Sequence, residues 1–80
     1  MTRLSDIWKC IIRMLPRKQW LGLQAVYNTV EKHLPLDAED FEPQSPKSES
    51  PKWMRNVRNV LQYRKRTGEI EWDGAGNYRL

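Results

Sequence analysis

Four side chains between Ser50 and Gly68 carry groups suited to reading base edges: Arg55, Asn59, Gln62 and Arg66. A guanidinium donates two parallel hydrogen bonds to O6 and N7 of guanine, and a carboxamide pairs with N6 and N7 of adenine. At 100° per residue these four positions fall on one stripe of a helix. Arg58, Asn56 and Tyr63 flank the stripe, and Tyr63 is counted with the candidate contacts. Lys52, Arg58 and Lys65, with Arg17 and Lys18 from an earlier turn, are placed to meet phosphates, which fixes register without reading sequence. No Asp or Glu interrupts the run from Pro51 to Thr67.

That stripe needs a helix to hold it, and the local signals supply one over residues 51–67. Ser50 is a good N-cap and Pro51 suits the first helical position, where its missing N–H costs nothing. Gly68 ends the helix, because glycine enters the left-handed region without a Cβ penalty. Opposite the polar stripe, Trp53, Val57, Val60 and Leu61 recur at helical spacing, with Arg64 the one polar member. After Gly68 the period drops to two. Ile70 and Trp72 alternate with Glu69 and Glu71, Asp73-Gly74-Ala75-Gly76 turns the chain, and Tyr78 and Leu80 alternate with Asn77 and Arg79. The expected product is a β-hairpin folded back on the helix, the way a winged helix-turn-helix ends.

The same residues carry a resemblance. Val57-Arg58-Asn59-Val60-Leu61-Gln62, Gly68-Glu69-Ile70-Glu71-Trp72 and Gly74-Ala75-Gly76-Asn77-Tyr78-Arg79-Leu80 resemble the ending of winged-helix domains attached to restriction endonucleases. Among these is the C-terminal winged helix of methyladenine-dependent restriction enzymes. The likeness spans about 25 residues and is moderately specific as a motif. It implies a DNA-binding module, part of or partner to a restriction–modification or regulatory system. Ala75 and Asn77 depart from the basic residues often found at that family's wing tip, and Arg64 stands where leucine is usual. With Glu69 and Glu71 beside a neutral tip, the wing is expected to be mostly structural.

Eighty residues make one small domain, 1–80. Its net charge of +4 is unevenly spread. Residues 1–34 hold six Lys/Arg against two acids, residues 35–50 one against five, and residues 51–80 seven against three. Basic folded segments around an acidic connection favour a polyanionic partner. A single cysteine, Cys10, excludes an internal disulfide and points weakly to a reducing compartment. The chain shows no apolar run of membrane-spanning length and no signal-peptide pattern, so no membrane is expected and an intracellular location is.

Taken in order, helix 1 is expected from Thr2 or Ser5 to Leu15, with Leu4, Ile7, Trp8, Ile11, Ile12 and Leu15 inward and Asp6, Lys9, Cys10 and Arg13 outward. Trp20-Leu21 is short enough to be a third strand pairing with the wing. Helix 2 then presents Leu23, Val26, Tyr27, Val30 and Leu34 on one face and stops at Pro35. His33 at its end suits a helix-terminal cation rather than a metal ligand. Residues 35–50 read as a flexible acidic insertion between helices 2 and 3, too long for an ordinary helix-turn-helix turn. Phe41 within it either packs on the core or docks a partner. The fold class is therefore α+β, mostly α: a winged helix-turn-helix of three helices and a C-terminal hairpin. Trp8, Ile11, Ile12, Val26, Tyr27, Val30, Trp53, Val57, Val60, Leu61, Ile70, Trp72 and Tyr78 form the expected core.

Catalysis is not expected. Asp37, Glu39, Asp40 and Glu42 supply carboxylates, but on a Pro-rich connection, with no strand to hold them around a metal. No small-molecule cofactor, metal site or catalytic residue is expected. Two functional readings stay open. One is a module binding double-stranded DNA through helix 51–67 in the major groove. The other is a protein–protein adaptor without DNA contact, docking through the acidic loop or the basic helix.

Overall fold

The structure, a computed structural model, describes residues 1–47 and 50–80. Three helices and three short strands follow one another: α1 (Leu4–Met14), β1 (Leu21–Gly22), α2 (Leu23–His33), α3 (Lys52–Arg66), β2 (Glu71–Trp72) and β3 (Asn77–Arg79). The fold is α+β and mostly helical. The strands form one antiparallel sheet in the order β1-β3-β2, with Leu21 opposite Tyr78 and Tyr78 opposite Trp72. The brief strand expected near Trp20-Leu21 is present one residue later.

One core serves all three helices. Ile7 and Ile11 of α1, Val26 and Val30 of α2, and Val57 and Leu61 of α3 are fully buried. Ile70 and Tyr78 close the core from the sheet side. Trp53 is its largest side chain, standing edge-on to Tyr27 at 5.7 Å between ring centroids. Three expectations about the core change. Cys10 is 6% exposed rather than outward-facing, and belongs to the core cluster with Ile7 and Ile11. Burial pushes its thiol pKa up, so the group behaves as a small apolar side chain. Ile12 is only partly buried. Trp72 is 43% exposed on β2, a two-residue edge strand, with Lys65 over its ring.

The sheet ties the chain ends together. The backbone N–H of Lys18 donates to the Leu80 carbonyl, and the N–H of Leu23, otherwise an orphan of the first turn of α2, donates to Gly76. At the far end of α3, Gly68 has φ +80°, and the N–H groups of Gly68 and Glu69 return to the carbonyls of Lys65 and Arg64. This double closure is the Schellman arrangement that glycine makes possible.

The start of α3 is built differently from expectation. Pro51, not Ser50, takes the N-cap position, with ψ 155°, and has no side-chain cap hydrogen bond. The connection after α2 does so with its backbone: Lys52 N–H donates to the Glu42 carbonyl at 2.8 Å and Trp53 N–H to the Asp40 carbonyl at 3.0 Å. Of the segment 35–50 expected to be a flexible insertion, residues 35–47 and 50 are described, whereas Ser48 and Glu49 lie outside the described residues. Asp40 anchors it. Fully buried, its carboxylate accepts hydrogen bonds from the Thr2 N–H (2.9 Å), the Thr2 hydroxyl (2.7 Å) and the Asp37 N–H (3.0 Å). Phe41 packs edge-on against Trp53 at 6.5 Å yet stays 52% exposed.

Candidate nucleic-acid interface

The apolar stripe of α3 turns Trp53, Val57, Val60 and Leu61 into the core, which forces the opposite side outward. Arg55, Asn59, Gln62 and Arg66 are all exposed there. Four residues at this spacing occupy an arc of about 60°. Arg55, Asn59 and Arg66 have no hydrogen bond or ion pair with any other described side chain. Gln62 is held by its neighbour, its Oε1 accepting from Lys65 Nζ at 2.9 Å.

The flanking cations divide by how far the fold has already engaged them. Arg58 donates from Nη1 to the Tyr27 hydroxyl at 2.9 Å, which positions its guanidinium and spends one donor. Lys52 pairs with Glu42 at 3.2 Å. Lys65 lies 4.0 Å from the centroid of the Trp72 ring, within cation–π range. Tyr63 is 59% exposed at the edge of the stripe. Arg17 and Lys18 are exposed on the turn before β1, and no hydrogen bond or ring contact among the described residues joins them to α3.

Arg64, the polar intruder in the apolar stripe, solves its position by stacking. Its guanidinium lies 5.0 Å from the Trp8 ring and 5.3 Å from that of Tyr63, and it bonds both oxygens of Glu69, at 2.8 and 3.0 Å. The guanidinium, aided by the Thr67 hydroxyl, holds the Glu69 carboxyl below its usual pKa. Glu69 therefore belongs to the end of α3. Glu71 is likewise engaged, by Arg79 at 2.6 Å.

The hairpin tip is an internally satisfied turn. Asp73 accepts from the N–H groups of Ala75 (2.7 Å) and Asn77 (3.1 Å) and from the Asn77 side-chain amide (2.6 Å). These bonds lower its pKa and leave the tip with no cation.

Sequence reasoning missed two elements of this surface. The exposed Trp72 beside Lys65 follows from β2 being an edge strand just before the turn, a feature alternation alone does not reveal. The second is a groove of about 310 Å³ between α1 and α3, lined by Leu4, Ser5, Trp8, Asn59, Val60, Tyr63 and Arg64. Leu4 was expected inside and is 49% exposed at the groove's rim. Among the described residues no group of three or more His, Cys, Asp or Glu is arranged to hold a metal ion, and no helix is long and apolar enough to cross a membrane. His33 is exposed at the end of α2. Compared with known proteins, the chain matches no family model, no curated protein and no solved structure.

Proposed function

We propose that this chain is a winged-helix module that binds double-stranded DNA, with α3 as the helix that enters the major groove. The observation that carries the reading is the free face of α3. Arg55, Asn59 and Arg66 are exposed on one stripe, without a hydrogen-bond or ion-pair partner among the described side chains, and no acid lies on the helix. A row of exposed guanidinium and carboxamide groups suits base edges and phosphates. The order α1-β1-α2-α3-β2-β3, with β1 and β2 flanking β3, supports the winged-helix assignment.

In this reading Arg55, Asn59, Gln62 and Arg66 face the bases. Lys52, Arg58 and Lys65 meet the phosphates on either side, and Arg17 and Lys18 add longer-range attraction. The wing stays out of the grooves, and the Arg64–Glu69 pair fixes the end of α3 from which it leaves. The module acts by binding, as a sensor or targeting domain within a restriction–modification or regulatory system, and the carboxylates of residues 37–42 take structural parts.

Titration of a fluorescent duplex at 50 and 200 mM salt tests the reading. Electrostatic binding through several phosphates weakens steeply between those concentrations. Binding that is absent at both concentrations refutes it.

The groove between α1 and α3 favours a second reading. An apolar slot beside exposed Leu4 and Tyr63 suits a protein partner, and an adaptor using it loses little affinity in salt.

A further inference from the structure

On the side of α1 that faces the end of α2, a groove of about 540 Å³ opens, and no residue of α3 lines it. Its size is that of a small-molecule site, which typically spans about 300–1,000 Å³. Its composition has two layers. One layer is apolar: Cys10 is buried, Leu34 partly buried and Met14 exposed. The other is cationic: Lys9 and Arg13 are one turn apart on α1 and Arg3 is at its N-cap, all three exposed, with no hydrogen bond or ion pair to any described side chain. Two acids also line the groove. Asp37 is already paired with the Met1 ammonium at 2.7 Å, which cancels its charge locally. Asp6 alone offsets one of the three cations.

We infer that this groove binds a small organic anion with an apolar body, its charged end held by Lys9 and Arg13 and its body lying on Cys10 and Leu34. The chemistry follows from the two layers. Unpaired guanidinium and ammonium groups form charge-assisted hydrogen bonds with a carboxylate or sulfonate. The apolar layer contributes only to a ligand that brings hydrocarbon with its charge. Inorganic anions satisfy the cationic layer alone, and neutral aromatics the apolar layer alone. The Cys10 thiol, kept protonated by burial, adds no competing negative charge. The site is independent of α3, so it stands whether or not the chain binds DNA.

Three probes test the inference on the full chain: 1-anilinonaphthalene-8-sulfonate, inorganic sulfate and 1-naphthol, each followed by amide chemical-shift mapping. The sulfonate should bind saturably at one site, with shifts confined to residues 3–14 and 33–37. Sulfate and naphthol should each bind at least about tenfold more weakly there, since each lacks one of the two contributions. Lys9→Gln and Arg13→Gln should each weaken the sulfonate by about tenfold while leaving the melting temperature unchanged, both side chains being exposed. Three results overturn the proposal: sulfonate shifts centred instead on the groove of Trp8 and Tyr63, sulfate binding as tightly as the sulfonate, or neither substitution weakening it.

Discussion

The segment of residues 37–42 and the outer face of α3 both carry charged and polar groups, and the fold treats them oppositely. Each acid of the segment has a partner. Asp37 and Glu39 lie within 2.7 and 3.4 Å of the Met1 ammonium, Asp40 is buried under three donors, and Glu42 holds Lys52. On the outer face of α3, Arg55, Asn59 and Arg66 have no hydrogen-bond or ion-pair partner among the described side chains. Net charge cannot distinguish a group consumed by the fold from one left for a ligand; partnership can. The segment expected to be a flexible acidic insertion caps α3 with its backbone, and the stripe expected to face outward on α3 does so.

The sharpest way to break the contrast is at Asp40. Replacing Asp40 with Ala leaves the Thr2 N–H, the Thr2 hydroxyl and the Asp37 N–H without their acceptor in a buried site. Each unsatisfied group costs about 1–3 kcal/mol, and partial hydration of the gap makes about 3 kcal/mol the expected total. Chemical denaturation measures it, and a midpoint equal to wild type would show that the segment is not an anchor. On the α3 side, Arg55→Ala or Asn59→Ala should leave stability within about 0.5 kcal/mol. Each should cost about 1–3 kcal/mol at a preferred duplex and flatten the preference among sequences. Competition titrations with duplexes of different sequence read both quantities.

Lys52 lies on the border between the two regions. Lys52→Ala should weaken every duplex alike and lower the salt slope by about one unit. Releasing the lysine with Glu42→Gln should do the reverse, strengthening binding by about two- to fivefold, the scale of an exposed ion pair. A Glu42→Gln protein that binds no better would place Lys52 outside the interface. The smallest expected effect is on acid stability. Asp73 and Glu69 have pKa values lowered by hydrogen bonds and by Arg64, so they stabilise the fold above the ordinary carboxylate range. That contribution is lost as pH falls through their depressed folded values. Asp73→Asn should therefore make unfolding less sensitive to acid below about pH 4, the range in which unperturbed Asp titrates, as seen by circular dichroism.

Much of this was legible in the chain. Local signals with a short physical range were enough for α2, α3, the Gly68 termination and the Asp73–Gly76 turn. Apolar period selects the buried stripe, glycine alone accepts φ +80° cheaply, and Pro16 and Pro35 stop helices from within one turn. The outward stripe of Arg55, Asn59, Gln62 and Arg66 follows from the same periodicity, since burying one face of a helix commits the other to solvent. Tertiary structure alone decided the rest. Cys10 is buried within the core cluster, Trp72 is exposed on an edge strand, and buried Asp40 takes two of its three donors from Thr2, 38 residues away. Arg58 and Lys52 found partners at Tyr27 and Glu42, whereas Arg55 and Arg66 have none among the described residues. Sequence periodicity reports which way a side chain points, but a hydrogen bond needs an atom within about 3 Å, and only the folded chain brings one there.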